Sequence, residues 1–146
     1  MAITTNAIAN SFKKELLEAK HDFTQRSGDQ FKIALYTNSA TLGKSTTSFT
    51  TDHQVSNTGQ YTSGGGKLAK GSQQTSVASS VAIVDFADRS FTGVTLTARG
   101  ALIYNTSNSN TAVAVLDFGG DKTATAGTFT IQFPAFTTSA AILRIS

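Results

Sequence analysis

Four aspartates in the second half of the chain are the residues with the clearest potential for chemistry. Asp85 and Asp117 each precede a phenylalanine at the end of an apolar run, and Asp88 and Asp121 follow within a few residues. Paired carboxylates can perform acid–base catalysis or bind Ca²⁺. Aspartate also bonds the backbone where a strand ends, and no D-x-D-x-D-G loop is present. We therefore favour turn capping over a catalytic or metal site.

The two histidines support no metal or catalytic site either. His21 precedes Asp22 at the end of a predicted helix, where a cationic imidazole would meet the negative end of the helix dipole. We interpret it as a helix-end contact and His53 as a solvated loop residue. Two histidines without cysteine offer little material for zinc. The prediction is a protein without a cofactor that is not an enzyme.

Gly64-Gly65-Gly66-Lys67 invites comparison with a phosphate-binding loop. The P-loop requires Gly, four residues, Gly-Lys and then Ser or Thr. Gly59 and Gly64 have the first spacing, but Gly65 stands where lysine is needed. We predict a flexible turn. No serine lies in a Gly-x-Ser-x-Gly motif with a usable histidine downstream.

The composition favours a single β-rich domain. Of the 146 residues, 39 are Ser or Thr, and only 14% are charged. Threonine suits strands and serine suits turns. The net charge of +3 includes no run of Lys or Arg, so we predict no nucleic-acid partner. The N-terminus lacks a signal-peptide pattern, and no apolar stretch approaches the ~18 residues of a transmembrane helix, so no membrane association is predicted.

The N-terminal region has a helical period, which predicts an amphipathic helix over 7–23 with Thr5 or Asn6 as its N-cap and an end near Gly28. We assign 1–28 to an N-terminal arm and helix, and 29–146 to one β domain. The apolar face must pack on that domain or on a neighbouring subunit. From this face we assign Ile8, Phe12 and Leu16 to an interface; its members are Ile8, Phe12, Leu16, Ala19 and Phe23.

The β domain is predicted to be mainly β, an antiparallel sandwich or a barrel-like domain. Alternation over 31–36 indicates a half-buried strand, and 37–80 reads as loops with short strands. A turn is expected at 88–90, a bulge or corner at Gly100, and a connection from 119 to about 127. The remaining predicted strands are 81–86, 112–118, 128–133 and 141–145, and 91–105 is predicted to be one longer strand or a bent pair.

Arg99 is a lone charge in a neutral strand region. Asp85 and Asp117 are possible partners within the chain. An ion pair at a subunit interface is the alternative, and for that reason Arg99 joins the interface candidates.

Seven segments of the chain, taken together, are characteristic: 11–17 (SFKKELL), 21–23 (HDF), 31–37 (FKIALYT), 64–68 (GGGKL), 97–105 (TARGALIYN), 115–119 (VLDFG) and 127–134 (GTFTIQFP). With these segments the chain resembles a family of small virion proteins of tailed bacteriophages, especially aquatic ones. The resemblance spans nearly the whole chain. It implies a structural protein of the virion, assembled in the host cytoplasm, and our first expectation is a capsid decoration (cement) protein. Such a protein would bind the major capsid protein as a homo-oligomer, with a trimer favoured.

Three other functions stay open at this point. The first is a tail, baseplate or fibre-attachment protein of the virion. The second is a carbohydrate-binding β-sandwich module in which Tyr36, Tyr61 and Tyr104 stack on sugars, although the chain has no Trp. The third is a hydrolase that uses the aspartate pairs.

Overall fold

The computed structural model describes residues 3–69, 74–134, 136–137 and 139–145. One short helix, α1 (Asn10–Leu17), accompanies eight strands. The strands are β1 (Ala7–Ile8), β2 (Phe31–Tyr36), β3 (Gly66–Lys67), β4 (Gln74–Ala78), β5 (Val81–Asp85), β6 (Arg89–Asn105), β7 (Thr111–Ile131) and β8 (Leu143–Ile145). In the described part of the chain no helix is long and apolar enough to cross a membrane.

The strands form two antiparallel sheets. The larger sheet has the order β1-β7-β6-β2-β3, and the smaller has the order β4-β5-β8. The long hairpin of β6 and β7 is the centre of the larger sheet, with β2 beside β6 and β1 beside β7. The predicted mainly β class is confirmed, as a sandwich-like fold with one N-terminal helix.

The predicted helix over 7–23 was too long. Ile8 lies in β1, where it pairs with Ala114 of β7, so the helix begins only after Ala9, which replaces Thr5 or Asn6 as the N-cap. At the other end Ala19 takes a left-handed conformation with φ 57°. The Lys20 amide then donates to the Glu15 carbonyl at 3.0 Å and the Ala19 amide to the Leu16 carbonyl. This is a Schellman termination without its usual glycine, so the sequence carried no signal for it.

Phe23 lies beyond the helix but still joins Phe12 in the core. Its ring stacks on Phe31 of β2 with centroids 4.6 Å apart, and it meets Phe12 at 6.0 Å. Phe86 packs on Phe31 at 5.8 Å. This aromatic cluster anchors the N-terminal segment on the larger sheet, and each ring pair adds to the stability from burial alone.

β2 has the predicted bounds, but it is buried on both faces rather than on one. Ala34 and Tyr36 are as inaccessible as Phe31. The 37–64 tract covers the second face: the Tyr36 hydroxyl donates to the Thr50 carbonyl at 2.6 Å. Phe49 of the same tract stacks on Tyr104 at 4.7 Å. The polar tract therefore packs on the core and shields one face of β2 from solvent.

The strands predicted at 112–118 and 128–133 form one strand, β7. The expected connection over 119–127 is instead a bulged stretch of it, because Gly100 pairs with Asp117 while Ala98 pairs with Lys122. The residues between Asp117 and Lys122 are thus accommodated opposite a single residue of β6, which is a large bulge. The predicted irregularity at Gly100 is confirmed. The turn expected at 88–90 was misplaced, since β6 already begins at Arg89.

Candidate interaction groove

An apolar groove of about 520 Å³ runs between α1 and the smaller sheet. Its N-terminal wall comes from β1, α1 and Phe23, and its other wall comes from β4, β5 and β8. We call it the α1 groove. Its apolar lining consists of Ile8, Phe12, Leu16, Leu17, Phe23, Ala82, Ile83, Val84, Leu143 and Ile145.

The floor of the α1 groove belongs to the core, but its rim does not. Phe12 is 2% exposed, whereas Leu17 is 91% exposed and Ile145 is 59% exposed. Val77 continues this surface: it pairs with Ala82, which also pairs with Ile145, and it is 70% exposed. Scattered exposed apolar residues are ordinary, but a contiguous set beside a groove is typical of an interaction site.

Three of the four predicted interface residues meet in this groove, namely Ile8, Phe12 and Leu16. Arg99 lies elsewhere. Its Nη2 is 3.1 Å from Asp117 Oδ1, and its Nε donates to the Ile3 carbonyl at 3.2 Å. Arg99 therefore ties the N-terminal segment to β7 within one chain, with the partner Asp117 that the sequence suggested. Its role at a subunit interface remains a prediction.

Sequence reasoning missed Leu17, Ile145 and the two cations of the lining. Adjacent residues of a helix point in different directions, so with Leu16 on the apolar face Leu17 had to point away from it. The Leu16-Leu17 doublet therefore indicated an exposed leucine. Ile145 carried no comparable signal. The cations are Lys13 of α1 and Arg144 of β8, and they are the charged residues that line the groove.

Asp85 and Asp117 each accept a backbone amide one or two residues further on, as turn capping predicts, whereas Asp88 and Asp121 accept hydrogen bonds from residues far away in the chain. Asp85 accepts the Phe86 amide at 2.9 Å, and Asp88 accepts the Phe133 amide at 2.8 Å. Asp121 accepts from the Asn38 side chain, and Asp117 is occupied by Arg99. Asp85 and Asp117 lie in different sheets. Among the described residues no group of three or more His, Asp or Glu side chains could hold a metal ion.

Asp85 gives a testable pH dependence. Burial raises the pKa of its carboxyl, and the nearby charge of Asp88 adds to the effect. The fold thus favours the protonated form, so this contribution to stability is full below the ordinary carboxyl pKa near 4 and is lost as the pH rises through the raised value. We expect Asp85→Asn, which keeps an acceptor for the Phe86 amide, to stabilise the protein at pH 7 by about 0.5–1 kcal/mol.

Urea unfolding of wild type and Asp85→Asn at pH 7 and pH 3.5 measures this effect. The two unfolding free energies should converge at the lower pH. A variant that is less stable than wild type at pH 7 would contradict the assignment.

His21 does not end the helix; it is buried beyond it in a hydrogen-bonded network. Asn105 accepts the Ser107 amide at 2.9 Å through Oδ1 and donates to Asp29 at 2.7 Å through Nδ2, and these two bonds fix its orientation. The same Nδ2 lies 3.0 Å from His21 Nδ1. His21 Nδ1 must therefore accept, and Nε2 donates to Glu15 at 3.2 Å. His53, by contrast, is the exposed loop residue that was expected.

The tyrosines are unavailable for stacking on sugars. Tyr36 and Tyr61 are fully buried, and Tyr104 is 2% exposed. Each hydroxyl has an internal partner; that of Tyr104 donates to the Gly64 carbonyl. Burial raises the pKa of Tyr104 to about 12. The idea that these three rings form a carbohydrate platform was wrong, because all three are buried in the core.

No protein-family model, curated protein or solved structure matches this chain. The fold itself defines the protein as a mainly β, sandwich-like domain with two antiparallel sheets.

Proposed function

We propose that this chain is a structural protein of a bacteriophage virion, a capsid decoration protein that binds the shell of major capsid protein and stabilises it. The single observation that carries the proposal is the α1 groove with its exposed apolar rim. The resemblance of the chain to small virion proteins of tailed phages is the reason for proposing a capsid protein as the partner that binds this groove.

The rest of the fold suits that task. A decoration protein adds stability to a shell through contacts alone. It therefore needs a rigid fold and an apolar surface whose burial against the shell is favourable. Leu17, Val77 and Ile145 provide such a surface, and each Å² of apolar area buried on binding contributes about 25 cal/mol before the cost of association. Copies joined in a symmetric homo-oligomer, with a trimer favoured, would bind repeated shell sites with avidity.

Binding to purified shells tests the proposal. We expect this protein to co-sediment with assembled shells and to bind the unassembled capsid subunit only weakly. Cryo-electron microscopy of the intact particle should place its density on the outer shell surface at symmetry-related positions. Density confined to the tail would replace decoration with a tail or baseplate role, and absence from the particle would reject a virion role.

Leu17 offers a substitution that separates binding from folding. Because its side chain is 91% exposed, Leu17→Asp should change the free energy of unfolding by no more than about 0.5 kcal/mol. The aspartate would be buried at the interface, so we expect shell affinity to fall by about ten-fold or more. Co-sedimentation over a concentration series measures the affinity. The matched control is Thr97→Asp, which places the same charge on the exposed surface of β6, away from the groove.

A further inference from the structure

The charges of the α1 groove have one sign. Lys13 stands on α1, and Arg144 stands on β8 across the groove. Both are exposed, and neither forms an ion pair with the residues that the structure describes; Arg144 Nη1 donates to the neutral Ser139 carbonyl at 2.9 Å, which leaves its charge unpaired. The other basic residues of this helix and its end are matched differently: Lys14 and Lys20 both pair with Glu18.

We infer that the α1 groove binds a segment of the partner protein that carries apolar side chains flanked by carboxylates. This inference rests on the proposed function, since it names the chemistry of the shell segment that would occupy the groove. The apolar floor takes the apolar side chains, and the cations on its two walls pair with acids on either side of them. Complementary charges of this kind set the orientation of the partner and raise the rate of encounter.

A second copy of this chain is a poorer occupant. In a two-fold contact the same surface meets itself, so the groove of one copy would face that of the other. Lys13 and Arg144 of both copies would then gather in one interface, where like charges are unfavourable. An acidic partner removes this repulsion, and a second copy does not.

The occupant is also larger than a small ligand. The groove volume of about 520 Å³ lies within the range of small-molecule sites. However, exposed apolar side chains continue past it to Val77 on the outer strand of the smaller sheet. A protein segment covers both the groove and this extension.

Charge reversal tests the inference on shells. The variant Lys13→Glu/Arg144→Glu should bind shells about ten-fold or more weakly than wild type. Binding by wild type should also weaken as NaCl rises, because these exposed charges are screened. The control Lys122→Glu/Lys67→Glu makes the same change in net charge away from the groove and should bind like wild type. Equal binding by the reversal variant and wild type would overturn the inference while leaving shell binding intact.

A dye assay keeps the inference testable if wild type does not bind shells at all. The probe 1-anilinonaphthalene-8-sulfonate combines apolar rings with an anion, and Nile red is apolar and uncharged. We expect the reversal variant to lose about ten-fold in affinity for the sulfonate and to keep its affinity for Nile red. If wild type does not bind shells but the dyes give this pattern, the proposed function is rejected and the inference about the groove is kept. An equal loss of affinity for both dyes, or no loss for either, would reject the preference of the groove for an anionic ligand.

Discussion

Gly65→Ala is expected to destabilise the protein by about 4 kcal/mol or more, a large fraction of the total stability of a typical domain. Gly65 has φ +79°, and a Cβ built on it would lie 1.9 Å from the carbonyl oxygen of Ile33. That oxygen belongs to the backbone of β2, which is paired on one side with β6 and on the other with β3. Neither the turn nor the strand can move away without breaking these pairings.

Urea unfolding monitored by circular dichroism measures this loss. Gly43→Ala is the matched control, since no atom beyond Gly43 and its two chain neighbours lies within 4 Å of the Cβ it would add. The control should stay within about 0.5 kcal/mol of wild type. If Gly65→Ala unfolded within about 1 kcal/mol of wild type, an approach this close between the glycine turn and β2 would be untenable. The flexible turn predicted at this site would then be the better description.

Asn105→Ala should cost about 3 kcal/mol, because one truncation removes several buried hydrogen bonds. The Asn105 side chain joins Asp29, His21 and the Ser107 amide, and the residue is fully buried. His21 is held between the rings of Phe12, at 4.7 Å, and Phe31, at 6.4 Å. Its side chain is fully buried, so water does not replace the donor that Nδ1 loses.

A double-mutant cycle with His21→Ala distinguishes this network from simple loss of packing. We expect the two substitutions to be non-additive by about 1 kcal/mol or more, since they share one bond. Asn38→Ala is the control: its exposed amide donates to the Asp121 side chain, and its cost should be about 0.5 kcal/mol. Additive costs for Asn105 and His21 would show that the bond between them contributes nothing to stability.

The roles of Gly65 and of the bond between Asn105 and His21 could not be predicted from the sequence. Three consecutive glycines indicated a turn. Glycine is required at position 65, however, because any Cβ there would collide with the carbonyl of Ile33, 32 positions away. His21 was placed at a helix end because the apolar period ran on to Phe23. The helix instead ends at Leu17, and the chain folds back so that His21 reaches Asn105. Both features depend on contacts between distant residues, which no local pattern contains.

The interaction groove was predictable only in part. The period Ile8, Phe12, Leu16 indicates one apolar wall from the sequence, because those spacings recur on one side of a helix. The opposite wall comes from β4, β5 and β8, which lie much further along the chain. Leu143 and Ile145 are part of the groove only because β8 pairs with β5.

The sequence by itself determined the class of fold, the bounds of β2 and the irregularity at Gly100, because alternation, turn residues and strand propensity are local properties. The tertiary structure alone decided that 119–127 continues β7 as a bulged strand, that β2 is buried on both faces, and that Ala7 and Ile8 form a strand rather than a helical turn. In each of these cases pairing with a distant strand, or cover by a distant loop, outweighed a local preference whose energy is smaller.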